Sequence, residues 1–84
     1  MTKLDKFMIK LLSGTTDSNI PFNELINLLT NLGFESRVKG SHYIFYKDGI
    51  KEIINIQSKG NKVKPYQVKQ VRNLILKYNL LENE

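Results

Sequence analysis

The apolar residues of this chain change period twice, from about 3.6 to 2 and back, which restricts its 84 residues to a mixed helix and strand fold. In the first segment Leu4, Phe7, Met8, Leu11 and Leu12 fall at i, i+3, i+4, i+7 and i+8, one stripe of an amphipathic helix. Gly14 is placed to end it, residues 14–19 (GTTDSN) have the turn formers of a loop, and Pro21 fits the first turn of a second helix. There Phe22, Leu25, Ile26, Leu28, Leu29 and Leu32 make a wide stripe that predicts burial against two neighbours, with Gly33 beyond its end.

Alternation then takes over. Residues 34–39 set Phe34, Ser36 and Val38 against Glu35, Arg37 and Lys39, predicting a strand with one largely apolar face. Gly40 and Ser41 form a turn, and a second strand over residues 42–47 puts His42, Ile44 and Tyr46 on one side and Tyr43, Phe45 and Lys47 on the other. Asp48-Gly49 signals another tight turn into a third strand, residues 50–57, rich in Ile50, Ile53, Ile54 and Ile56. Its buried face stays open, because Ile53 and Ile54 point opposite ways. Residues 58–64 (SKGNKVK) read as a basic loop, and Pro65 opens a last helix with Val68, Val71, Leu74, Ile75 and Tyr78 at helical spacing. The tail LLENE is expected to fray. The order α-α-β-β-β-α predicts an α+β sandwich, a three-stranded antiparallel sheet with helices on one face, in a single domain over residues 1–84.

Composition narrows the function. With 40% hydrophobic and 25% charged residues the chain is neither disordered nor collagen-like. No apolar run approaches the roughly 20 residues of a membrane span, and residues 1–10 lack a signal-peptide core, so a cytoplasmic protein with no membrane partner is expected. Cysteine is absent, so packing alone must stabilise the fold. The net charge of +5 is unevenly spread: residues 1–34 are neutral, while residues 35–77 carry ten Lys or Arg against three acidic residues. A polyanion met by this basic part is one reading, since lysines that neutralise phosphates release counterions; a merely soluble lysine-rich surface is the other.

His42, the only histidine, stands where a Gly-Ser turn enters a strand. Near neutral pH an imidazole can take a proton from an RNA 2′-hydroxyl or give one to a departing 5′-oxygen, the two transfers of metal-free phosphodiester cleavage. One ring fills one role at a time, so Lys39, Lys59, Lys62 or solvent would supply the second acid or stabilise the phosphorane oxygens. By itself a lone strand histidine is more often structural than catalytic. Tyr43, Tyr46 and Tyr66 could stack on bases, or serve as core and rim packing. No metal or other cofactor is expected: Asp48 and Glu52 are separated in a hairpin and there is one histidine. Phosphate-cradling glycine motifs are missing, and Ser41 beside His42 is no triad, because neighbouring strand residues face opposite ways.

The run GSHYIF, Gly40 to Phe45, resembles the GSHH-x-F signature of the HicA (YcfA-like) toxins. LTNLGFE over residues 29–35 and KPYQVKQVRNLI over residues 64–75 are similar to that family's flanking segments, so the likeness covers residues 22–80. The resemblance implies a fold like that of double-stranded-RNA-binding domains and a metal-independent messenger-RNA interferase held inactive by a HicB antitoxin. It makes His42 the catalytic residue. On the reading that follows, Lys39, Lys59, Lys62 and Lys64 attract the RNA backbone, Gly40 and Ser41 position the turn, and Tyr43 is a further RNA-contacting residue. Tyr43 stands where many members carry a second histidine. Residues 1–14 become an added helix that caps the core, with dimerisation or antitoxin docking as the other possible roles. A non-catalytic RNA-binding module and a protein-binding adaptor are the alternatives to a nuclease.

Overall fold

A computed structural model describes residues 2–80. Among them lie three α-helices, α1 (Lys3–Ser13), α2 (Phe22–Asn31) and α3 (Pro65–Lys77), and four strands, β1 (Glu35–Lys39), β2 (His42–Tyr46), β3 (Ile54–Lys59) and β4 (Lys62–Val63). The expectation of a fraying tail falls largely on residues 81–84, outside the described residues.

The helix ends follow from local chemistry. Thr2 and Asp5 form a reciprocal capping box at the start of α1: the Thr2 hydroxyl accepts the Asp5 N–H at 3.1 Å and the Asp5 carboxylate accepts the Thr2 N–H at 3.2 Å. Gly14 ends α1 in the left-handed conformation, φ 73°. At the end of α2, Gly33 (φ 95°) lets the Phe34 N–H reach the Leu29 carbonyl and its own N–H reach that of Thr30. This six-to-one, five-to-two pair turns the chain abruptly from helix into strand. Pro65 opens α3 at a position where its missing N–H costs no helix bond.

The strands form one antiparallel meander in the order β1-β2-β3-β4. Phe45, Ile54, Ile56 and Val63 lie buried together with Leu25, Leu28 and Leu29 of α2 and Val68, Val71 and Ile75 of α3. The helices therefore cover one sheet face, as an α+β sandwich requires. Phe7 and Leu11 of α1 enter the same core. Paired residues in an antiparallel sheet share a face, so the register puts Tyr43 and Ile56 on the covered side and Lys39, His42 and Gln57 on the open side.

Three details differ from the sequence-based expectation. The sheet has four strands, not three: Ser58 and Lys59 extend β3 and pair with Val63 and Lys62 across a Gly60-Asn61 turn. The segment read as a loop is a short hairpin, held at its outer edge by Val63 N–H to the Ile20 carbonyl (3.0 Å) and Phe22 N–H to the Asn61 carbonyl (2.9 Å). The third strand begins at Ile54 rather than Ile50, and Ile54 and Ile56 face the core while Ile53 is 60% exposed. All of β1 is exposed, including Val38 at 56%, so that strand projects beyond the helix cover and only Phe34, just before it, is buried.

Two ion pairs tie the loops down. Arg72 of α3 grips Asp17 with two bonds of 2.8 and 3.0 Å and donates a third, of 3.2 Å, to the Leu11 carbonyl, joining α1, the 14–19 loop and α3. Lys77 and Tyr78 donate to the Glu52 carboxylate at 2.7 and 2.6 Å. The Arg72 hydrogen bond holds the Asp17 carboxyl below its ordinary value, and those from Lys77 and Tyr78 bring Glu52 down to about 2. Both groups bind protons more weakly folded than unfolded. Their stabilisation is complete above the unfolded-state values near 4 and is lost as pH falls through the folded-state values. Thermal unfolding should thus show a midpoint that drops from pH 5 to pH 2, and the double variant Asp17→Asn, Glu52→Gln should show a flatter dependence. An equal drop in both proteins would rule these two carboxylates out as its source.

Candidate active site

Lys39 and His42 are register partners, leaving Gly40 and Ser41 as a two-residue turn. Gly40 adopts φ 63°, yet a Cβ there would meet nothing within 4 Å, so the turn needs glycine for its backbone conformation and not for space. The turn delivers His42 to the start of β2, exposed on the open sheet face. Its Nδ1 lies 3.0 Å from the Asn55 Oδ1 of β3, and Gln57, its register partner on β3, donates through Nε2 to the Ser41 Oγ at 3.2 Å. Two β3 side chains thus engage the Ser41-His42 pair, one at the turn and one at the ring.

Asn55 and Gln57 were not singled out in the sequence. The signal was present: in INIQSK they occupy the positions that alternate with Ile54 and Ile56, polar residues on one face of an otherwise apolar strand. With the face of that strand undecided, nothing connected them to His42.

The other residues assigned from sequence separate into three places. Lys39, Gly40 and Ser41 surround His42 at the β1–β2 turn. Lys59 lies on the same open face, two residues along β3 from Gln57, or about 7 Å at the usual strand rise. Lys62 and Lys64 join Lys59 in lining a cavity of about 520 Å³ with Ser18, Pro65 and Tyr66. Lys62 Nζ is held there by the Asn19 side chain, while the Tyr66 ring is 66% exposed at the start of α3. Tyr43, grouped by sequence with the RNA-contacting residues, lies on the covered face instead. Its ring meets that of Phe22 edge-on at 5.0 Å, so it locks β2 to α2 on the side of the sheet away from His42. Tyr46 remains on the open face with the Arg37 guanidinium 5.9 Å from its ring.

Chemically, this is an exposed imidazole with one nitrogen engaged and the other free, on a face that also carries Arg37, Lys39 and Lys59. Such an arrangement suits proton transfer on an anionic substrate. Among the described residues no three His, Cys, Asp or Glu side chains converge as a metal site, and no helix is long and apolar enough to cross a membrane.

A family model described as the HicA toxin of bacterial toxin-antitoxin systems matches residues 22–78, well over half of the chain and everything from the first residue of α2 to just past the end of α3. No curated protein and no solved structure matches the chain.

Proposed function

Because the chain belongs to the HicA toxin family of bacterial toxin-antitoxin systems, we propose that it is an endoribonuclease that cleaves messenger RNA without a metal ion and is silenced by a HicB-like antitoxin. The observation that carries this reading is the exposed His42 ring, hydrogen-bonded at Nδ1 and open at Nε2, on the lysine-bearing face of the sheet.

In the proposed reaction His42 Nε2 removes the proton from a ribose 2′-hydroxyl. The freed oxygen attacks the adjacent phosphorus and the bond to the 5′-oxygen breaks, leaving a 2′,3′-cyclic phosphate and a 5′-hydroxyl. Lys39, the register partner of His42 on β1, stabilises charge on the phosphorane oxygens in this reading, and it or water protonates the leaving oxygen. Gly40 and Ser41 shape the turn against the RNA backbone. Lys59, Lys62 and Lys64 hold phosphates further along, with Tyr66 available to stack on a base at the same cavity. Tyr43 supports RNA contact only by packing β2 in place. An antitoxin that covers the open face would exclude RNA, and ten basic against three acidic residues over residues 35–77 favour an acidic partner surface. The proposed place of action is the cytoplasm, where messenger RNA and antitoxin meet.

Incubating the purified chain with messenger RNA in excess EDTA tests this directly. Fragments with 5′-hydroxyl ends are expected. Intact RNA that is nevertheless bound would leave a non-catalytic RNA-binding module, and cleavage only after a divalent ion is restored would reject the metal-free route.

A further inference from the structure

The sheet register does more than bring His42 to the surface. Asn55 is the diagonal neighbour of His42 across β2 and β3, since His42 pairs with Gln57 and Ile44 with Asn55. Its Oδ1, which can only accept a hydrogen bond, is 3.0 Å from Nδ1. With the amide oxygen turned toward the ring, this contact is a hydrogen bond when Nδ1 carries the proton. In the neutral Nδ1–H ring Nε2 is the bare nitrogen. We propose that Asn55 is a positioning residue that fixes the His42 tautomer and ring orientation, making Nε2 the only nitrogen able to take a substrate proton.

The support behind Asn55 strengthens the assignment. β4 pairs only with Ser58 and Lys59, so β3 lacks a strand neighbour on that side at Asn55. Gln67, a buried residue in the first turn of α3, fills the gap by donating Nε2 to the Asn55 carbonyl at 3.1 Å. A buried polar side chain committed to one backbone carbonyl anchors that strand position to the helix layer. The Asn55 side chain therefore projects from a backbone held on both flanks, by β2 and by α3. Gln57 adds a parallel restraint on the turn through Ser41. The charged groups sharing the open face are Lys39 on β1, Lys59 on β3 and its partner Lys62 on β4, with Arg37 one row further and Glu35 at the far end of β1. No carboxylate among the described residues hydrogen-bonds to the ring, so the restraint on Nδ1 comes from a neutral amide. A neutral acceptor orients an imidazole without holding a second proton on it, which suits a group that must accept and release protons in turn.

The inference rests on the nuclease reading for its functional consequence, but its structural part can be measured without RNA. In ¹⁵N-labelled protein the His42 ring should give the chemical shifts of the Nδ1–H tautomer near neutral pH, and Asn55→Ala should shift it toward Nε2–H. Asn55→Asp keeps an acceptor at the same place and should keep the Nδ1–H form. In single-turnover cleavage Asn55→Ala should lose about tenfold to a hundredfold in rate, less than the full general-base contribution of about 10²–10⁴, with little change in KM. Asn55→Asp should recover most of that rate at higher pH, with the acidic limb of its pH–rate profile moved upward by the added charge. An unchanged tautomer in Asn55→Ala, or loss of the Nδ1–H form in Asn55→Asp, overturns the proposal. If the wild-type chain cleaves no RNA, the nuclease reading falls, while the NMR comparison still decides whether Asn55 sets the tautomer.

Discussion

Replacing His42 by alanine is expected to lower messenger-RNA cleavage by about 10²–10⁴-fold, the usual contribution of a positioned acid or base, with thermal stability and RNA affinity close to wild type. The separation of these effects follows from where the residue lies. His42 is exposed at the first position of β2, outside the core formed by Phe45, Ile54 and Ile56, and its one side-chain hydrogen bond is to an exposed Asn55. Truncating it leaves no cavity and no buried unpaired group, so the stability change should stay within about 0.5 kcal/mol. The lysines proposed to hold phosphates remain, so binding should persist when cleavage does not. Expression in cells offers the same comparison: growth arrest by wild type and none by the variant at equal protein level. Equal cleavage by both proteins would remove His42 from the mechanism, and a large loss of thermal stability would show that its role is structural.

Leu11→Ala should destabilise the protein by about 2–5 kcal/mol, a large part of the roughly 5–15 kcal/mol available to a small domain. Leu11 lies in α1, outside residues 22–78 that match the family model, yet it is completely buried, in a core it shares with Phe7 and with Leu25 and Leu28 of α2. Arg72 of α3 reaches back to its carbonyl, so the end of α1 is held by side-chain packing and by a charged hydrogen bond. The comparison variant is Ile9→Ala, on the same helix but 52% exposed, which should change stability by less than about 0.5 kcal/mol. Denaturant titration of the two variants checks this. Equal and small effects would mean that α1 rests on the surface of a self-sufficient 22–78 unit; a large effect confined to Leu11 makes it part of the fold.

Much of this architecture was legible in local pattern. The stripes of Leu4, Phe7 and Leu11 and of Leu25, Leu28 and Leu29 identified two helices and their buried sides, and Gly14 and Gly33 marked their ends. Gly40-Ser41 located the hairpin that presents His42. Each of these is a property of a few consecutive residues, because helix period, capping and tight-turn conformation are set within one or two turns of chain. The family likeness was legible on the same footing, through GSHYIF and its two flanking segments.

What local pattern could not supply were the contacts between distant residues. β4 has only two residues, too short for alternation to register, and it exists because the backbone around Ile20 and Phe22 pairs with it. Arg72 meets Asp17 across 55 positions, and His42 meets Asn55 across 13. A one-residue slip of β3 would carry Asn55 to the covered face and Ile54 or Ile56 to the open one, so the partner of the imidazole depends on register and not on composition. The sequence by itself determined the three helices, the first two strands, the excess of basic residues and the place of the histidine. The tertiary structure decided which face of the third strand is buried, sent Tyr43 to the helix side, and put Asn55 against His42. Periodicity describes a chain and its immediate neighbours, whereas a site is made where separate stretches of it are brought side by side.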